Sequence, residues 1–172
     1  MNRIKFIRGL IIVLSGASFF ASALGQEPGT TKRGIDDFVK QAARRFESSK
    51  IDFVGKTELS GRTVEEKVSY SMNGNQPEIL AVGYRDGNID HEEVFYFKNG
   101  SLIYSTERET PADGAGAAWS GNFYFQNEKL LDFSTNGHGK SELDDWDPEA
   151  EVLRMSRKRM KQLREHLRRG RR

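Results

Sequence analysis

The residues of this chain best suited to acid–base or metal chemistry are three histidines and the carboxylates beside them. His91-Glu92-Glu93 has the look of a metal or proton-transfer site. On a strand, however, side chains alternate, so His91 and Glu93 share one face and Glu92 takes the other. No second histidine lies nearby in sequence, and solvated strand side chains are the expected outcome. His138, between Gly137 and Gly139, could serve as a mobile acid or base near Asp144, and is expected to be a loop residue. His166 falls in a basic segment and is expected to be solvated. Glu142, Asp144, Asp145 and Asp147 offer carboxylates to calcium, but they lack the fixed ligand spacing and central glycine of a helix–loop–helix calcium site. Helix capping and charge balance are expected there instead.

Other chemistries are excluded or unsupported. The chain has no cysteine, which removes disulfides, thiolate zinc sites, iron–sulfur clusters, a cysteine nucleophile and a lipidated N-terminal cysteine. Gly114, Gly116 and Gly121 do not have the spacing of a phosphate-binding loop and no lysine follows them. The serines have no G-x-S-x-G turn and no evident base. Asn99-Gly100-Ser101 is formally a glycosylation acceptor and is expected to be a turn. No catalytic residue, metal ligand or cofactor is therefore expected. A non-catalytic chain is favoured, with a hydrolase or metal-dependent enzyme as the remaining alternative.

Two groups of residues could bind rather than react. Phe95-Tyr96-Phe97 and Phe123-Tyr124-Phe125 are expected to be strands, with the four phenylalanines on a core face under a helix. Tyr96 and Tyr124 would then point outward, where a ligand or partner could use them, together with Trp119. Tyr96→Ala is accordingly expected to be much milder than Phe97→Ala. The second group is the basic C-terminal segment, above all Arg164, Arg168 and Arg169. A basic amphipathic helix can lie on an anionic surface or contact a polyanion. The alternative is that its apolar seam packs on the sheet while its charges face solvent. The expectation is a split, with docking through about Met160 and a solvated end from Arg164.

These residues need elements to position them. The chain is 172 residues long, with 36% hydrophobic, 10% aromatic and 30% charged residues, enough for one core. Residues 1–25 read as a cleavable signal peptide: Arg3, Lys5 and Arg8 precede a mostly apolar run from Leu10 to Leu24, too short to span a bilayer. Residues 26–34 read as a linker. Ile35, Phe38, Val39, Ala42 and Phe46 form one helical stripe, with Asp36 and Asp37 in its first turn.

Strand-like runs follow at Ile51–Leu59, Val64–Met72, Ile79–Tyr84, Val94–Phe97, Leu102–Thr106, Phe123–Phe125 and Leu130–Phe133. Glu66 falls on an otherwise apolar strand face. Asn99-Gly100 between two apolar runs is a strong hairpin signal. Residues 95–103 resemble 123–131, an internal repeat of one hairpin. Ser134 to Asp147 reads as a polar loop. Asp147-Pro148 then starts a helix whose apolar positions are Leu153, Ser156, Met160, Leu163 and Leu167. Charge is segregated along the chain: residues 26–147 carry a net −8 and residues 148–172 a net +7.

Glu93-Val94-Phe95-Tyr96-Phe97-Lys98-Asn99-Gly100-Ser101-Leu102 fits an E-x-x-Y-F-x-x-G-x-L pattern. On it, residues 64–134 resemble a group of small exported bacterial β-meander proteins of unassigned activity. The resemblance implies an exported meander and carries over no catalytic residue.

The expected architecture is α+β: an antiparallel meander of about six strands packed against an N-terminal and a C-terminal amphipathic helix. The domain layout is a signal peptide at 1–25, a linker at 26–34, a helix plus meander at 35–147 and a basic helix at 148–172. The expected function is a periplasmic, non-catalytic binding or inhibitor-like protein. The alternative is a cell-envelope association module acting through the basic helix. The expected partner is a periplasmic protein or an envelope polyanion; nucleic acid is not expected, nor is a transmembrane helix after signal cleavage.

Overall fold

The computed structural model describes residues 31–46, 51–59, 61–114 and 118–170. The expected signal peptide, residues 26–30 of the expected linker, and Gly116 lie outside the described residues. Among the described residues, no helix is long and apolar enough to cross a membrane.

Helix α1 spans Lys32–Arg45, three residues earlier than its apolar stripe indicates. The reason is Thr31, whose hydroxyl accepts from the Gly34 N–H at 3.2 Å and so caps the helix. Asp36 and Asp37 consequently fall beyond the first turn. Helix α2 spans Pro148–Arg169 and begins as its sequence indicates, with Asp147 accepting from the Ala150 N–H at 3.0 Å.

Between the helices runs one sheet of seven strands, not about six: β1 (Phe53–Leu59), β2 (Arg62–Asn73), β3 (Gln76–Asp86), β4 (Ile89–Lys98), β5 (Ser101–Pro111), β6 (Trp119–Gln126) and β7 (Lys129–Asn136). Spatial order equals chain order and every pairing is antiparallel. β7 continues through Ser134-Thr135-Asn136, expected to be loop, because β6 pairs with it as far as Ser120↔Asn136. The repeat is one of geometry. Asn99-Gly100 and Asn127-Glu128 both take positive φ at their two central positions, as the tight hairpin turn demands. Each is preceded, 28 residues apart, by a register shift, at Tyr96/Phe97 and at Tyr124/Phe125.

The helices lie on opposite sides of the sheet. Phe95, Phe97, Phe123 and Phe125 pack with Val152, Leu153, Met160 and Leu163 of α2, as the phase of the aromatic strands requires. Ile79, Tyr96, Ile103, Tyr104 and Tyr124 pack with Ile35, Val39 and Ala42 of α1. This corrects the outward placement of Tyr96 and Tyr124. They do leave the phenylalanine face, but α1 covers them, and they are 3% and 7% exposed. Docking of α2 also extends past Met160: Leu163 is fully buried, Leu167 packs on the core, and His166 stacks on Phe53 with ring centroids 4.2 Å apart.

Candidate functional site

Three positions on the α2 face of the sheet carry glutamates that an apolar core would not select: Glu66 on β2, in the row of Tyr84 and His91, and Glu93 on β4 and Glu107 on β5 in the next row. Glu93 and Glu107 are directly opposed, an arrangement that destabilises a sheet unless cations intervene. Arg159 of α2 supplies the first cation. It donates from Nε to Glu93 Oε2 at 2.8 Å and from Nη2 to Oε1 at 3.1 Å, and its Nη1 donates to Glu66. Gln162 adds a hydrogen bond to Glu66 at 3.0 Å. Arg159, Glu66 and Glu93 are all buried. Burial alone would lower the Arg159 guanidinium, but Glu93 and Glu66 more than offset it and hold the arginine above its usual range. The Tyr84 hydroxyl also donates to Glu93, at 3.3 Å, and burial beside that carboxylate raises the phenol well above its ordinary value.

Lys140 supplies the second cation, from a 3-10 turn at Lys140–Glu142. It bonds Glu107 and, at 2.8 Å, Glu151 of α2, and it stands 4.9 Å above the Trp119 ring. Burial lowers the ammonium, yet the two carboxylates leave it raised overall. Desolvation outweighs Lys140 at Glu107 and pushes that carboxyl up to about 7. Its Oε1 is buried with no hydrogen-bond partner among the described residues. A cavity of about 120 Å³ adjoins it, lined by Tyr84, His91, Glu93, Lys140 and Glu151 among others. These two cations and four carboxyl groups bind α2 and its leading loop to the sheet. Among the described residues, no cluster of histidines and carboxylates is set to hold a metal ion.

A larger opening lies on the opposite face. α1 covers the row Ile79, Tyr96, Tyr104 and Tyr124 and ends at Arg45. The next row across the sheet holds short side chains, Ala81, Val94, Thr106 and Asn122, and the row after it sets Gly83 and Ser120 around the longer Glu92 and Arg108. A helix resting on large tyrosines beside a floor of short residues leaves an open trough with a volume of about 1390 Å³. Its floor includes Gly83, Val94, Thr106 and Asn122, and Lys40, Ala43 and Arg44 of α1 form one wall. Tyr104 donates to Asn122 Oδ1 at 2.8 Å, fixing that amide on the floor. Burial raises the Glu92 carboxyl, and Arg108 partly counters it.

The residues singled out from the sequence do not converge. Tyr96 and Tyr124 are core residues, and the Tyr124 hydroxyl donates to Asp36 at 3.0 Å. Trp119 is buried on the α2 face with Nε1 donating to Ser141 at 3.0 Å. Arg164, Arg168 and Arg169 are exposed on α2, as expected. Three expectations of solvation are corrected. Glu93 is buried against Arg159; His91 is half-buried and stacks on Tyr84 at 4.6 Å; His166 packs on Phe53. His138 is exposed in its loop and bonded to Glu142 at 2.6 Å.

Sequence reading missed both the Arg159 network and the trough. Glu66 on an apolar strand face was the one available signal for the first. No family model, curated protein or solved structure matches the chain.

Proposed function

We propose that this protein is an exported, non-catalytic binding protein that takes its ligand in the trough between α1 and the sheet. The observation that carries the reading is the contrast between the two faces. On the α2 face the buried and half-buried charged side chains are engaged with one another, Arg159 with Glu66 and Glu93 and Lys140 with Glu107 and Glu151. On the α1 face a concavity of about 1390 Å³ has a floor of apolar and hydrogen-bonding groups, the mixture that binding sites use to bury a ligand and orient it. Export rests on the signal-like leader and on the resemblance to exported meander proteins.

A trough-filling substitution tests the reading. Thr106→Trp places an indole on the floor. With the neutral dye N-phenylnaphthylamine as probe, the full chain is expected to bind one equivalent, and the variant to lose most of that binding with its melting temperature kept. Unchanged dye affinity in the variant would place any binding elsewhere and sink the proposal.

A second reading is association with an anionic envelope surface through α2. Arg154, Arg157, Lys161, Arg164, Arg168 and Arg169 are all exposed along that helix, whose apolar seam is turned to the core. Salt-sensitive sedimentation with anionic vesicles, lost on replacing Arg164, Arg168 and Arg169 by glutamine, is the outcome this reading requires.

A further inference from the structure

Charge around the trough runs against the charge of the body that contains it. Residues 26–147 carry a net −8, so a random concavity in this domain would be acidic. Among the described residues, the trough is lined instead by six cations and fewer carboxylates that face it. Two of the cations are answered locally, Arg85 by Asp90 at 2.6 Å and Arg62 by Asp86 at 2.5 Å. Glu107, which also borders the space, is turned to Lys140 on the other side of the sheet. That leaves Lys40 and Arg44 on the helix wall and Lys67 and Arg108 on the sheet, against Glu65 and Glu92.

Arg44 has an ordinary reason to be there, since it sits in the last turn of α1 and answers the helix dipole. Arg108 stands opposite Glu92, but Lys67 has no acid opposite it, with Val54 on one neighbouring strand and Gly83 on the other. Lys67 and Arg108 occupy one lateral row, Lys67–Gly83–Glu92–Arg108, on strands β2 and β5 with two strands between them. The single acid in that row, Glu92, is half-buried and stands directly opposite Arg108; burial raises its carboxyl and Arg108 lowers it, so the row holds two cations to one carboxyl. The floor between the cations is short-chained and partly apolar, with Gly83, Val94 and Thr106 exposing little charge of their own.

We infer that the ligand of the trough is an amphipathic organic anion, its apolar body lying over Val94 and Thr106 and its anionic group drawn to the Lys67 and Arg108 row. The inference rests on the trough being the binding site. An anion on a partly desolvated floor gains more from two cations than it would in bulk water, because the local dielectric is lower.

Two dyes that share an aromatic body separate the anion claim from the trough claim. Anilinonaphthalene sulfonate carries the charge and N-phenylnaphthylamine does not. The full chain is expected to bind the sulfonate about tenfold more tightly at low salt, a factor worth about 1.4 kcal/mol, with the preference shrinking as salt screens the row. Lys67→Gln with Arg108→Gln is expected to abolish the preference while leaving neutral-dye binding in place. Each single variant, expected to remove part of it, gives the same reading if the pair lowers the melting temperature. Arg157→Gln with Arg168→Gln on α2 is expected to change nothing.

Equal affinity for the two dyes, or a preference that survives the Lys67 and Arg108 variants, would overturn the anion claim and leave the trough standing. A preference that disappears with the α2 variant instead would place the anion on that helix and overturn it as well. If Thr106→Trp alters the binding of neither dye, the trough itself is not the site.

Discussion

Arg159 and Glu93 meet as a two-pronged, fully sealed pair, with Nε on Oε2 at 2.8 Å and Nη2 on Oε1 at 3.1 Å, across 66 residues of sequence. The same guanidinium reaches Glu66, so one side chain of α2 ties together two strands that do not touch each other. Removing it would leave two buried carboxylates without a cation, typically a loss of about 3–5 kcal/mol. Arg159→Met is therefore expected to shift urea unfolding by that amount. Combining it with Glu66→Gln and Glu93→Gln should recover part of the loss, because no naked charge then remains. A single variant that cost under about 1 kcal/mol would show that water reaches this network.

Glu107 predicts a pH dependence of the less familiar sign. Its folded carboxyl is raised to about 7 from an ordinary 4.5, so between those values the folded chain holds a proton that the unfolded chain has released. Stability must then fall as pH rises from about 4.5 to about 7, by something on the order of 3 kcal/mol if this group acts alone. Glu107→Gln should flatten that slope. Near pH 8 it should cost little, since Lys140 keeps Glu151. Chemical denaturation at pH 5 and pH 8 reads the difference. Equal slopes in the two proteins would count against the buried carboxyl.

Tyr96→Ala and Phe97→Ala should be similarly damaging, although the two side chains point to opposite faces. Both are nearly inaccessible, one under α1 and the other under α2, and large aromatic truncations in packed sites cost about 3–5 kcal/mol. Thermal melts in which Tyr96→Ala stayed near wild type would mean that α1 does not seal its face.

Ending the chain after Leu163 removes exposed arginines but also His166 from Phe53 and Leu167 from the core. A loss of roughly 1–3 kcal/mol is expected from the apolar burial alone. An unchanged melting temperature would restore the picture of a solvated C-terminal end.

Local pattern carried much of the fold. The alternation in Phe95-Tyr96-Phe97 and Phe123-Tyr124-Phe125 set the strand phase, Asn99-Gly100 set a hairpin, and Asp147-Pro148 set the start of α2. What stayed hidden depends on partners distant in the chain. Tyr96 looked like a surface residue because nothing in its own strand shows that a second helix lies on that side. Glu66 looked misplaced because its cation lies 93 residues away. Ser134-Thr135-Asn136 looked like loop because an edge strand needs no apolar face, only a neighbour to pair with. The trough was illegible for a related reason: its depth comes from short residues on four strands set beside a helix that stops early.

Because spatial order equals chain order, each strand can pair with the one made just before it, and the sheet is complete at Asn136, before any of α2 has been synthesised. Throughout that interval Phe95, Phe97, Phe123 and Phe125 form an uncovered oily face. Two such faces from neighbouring unfinished chains would stick, except that each carries Glu66, Glu93 and Glu107 among its phenylalanines, and like charges resist stacking as gatekeeper residues do. A chain ending at Asp147 should accordingly scatter less light at pH 8 than the same chain with these three glutamates changed to glutamine. The carboxylates would then be chaperones of the growing protein, and Arg159 and Lys140 the late arrivals that release them from that duty.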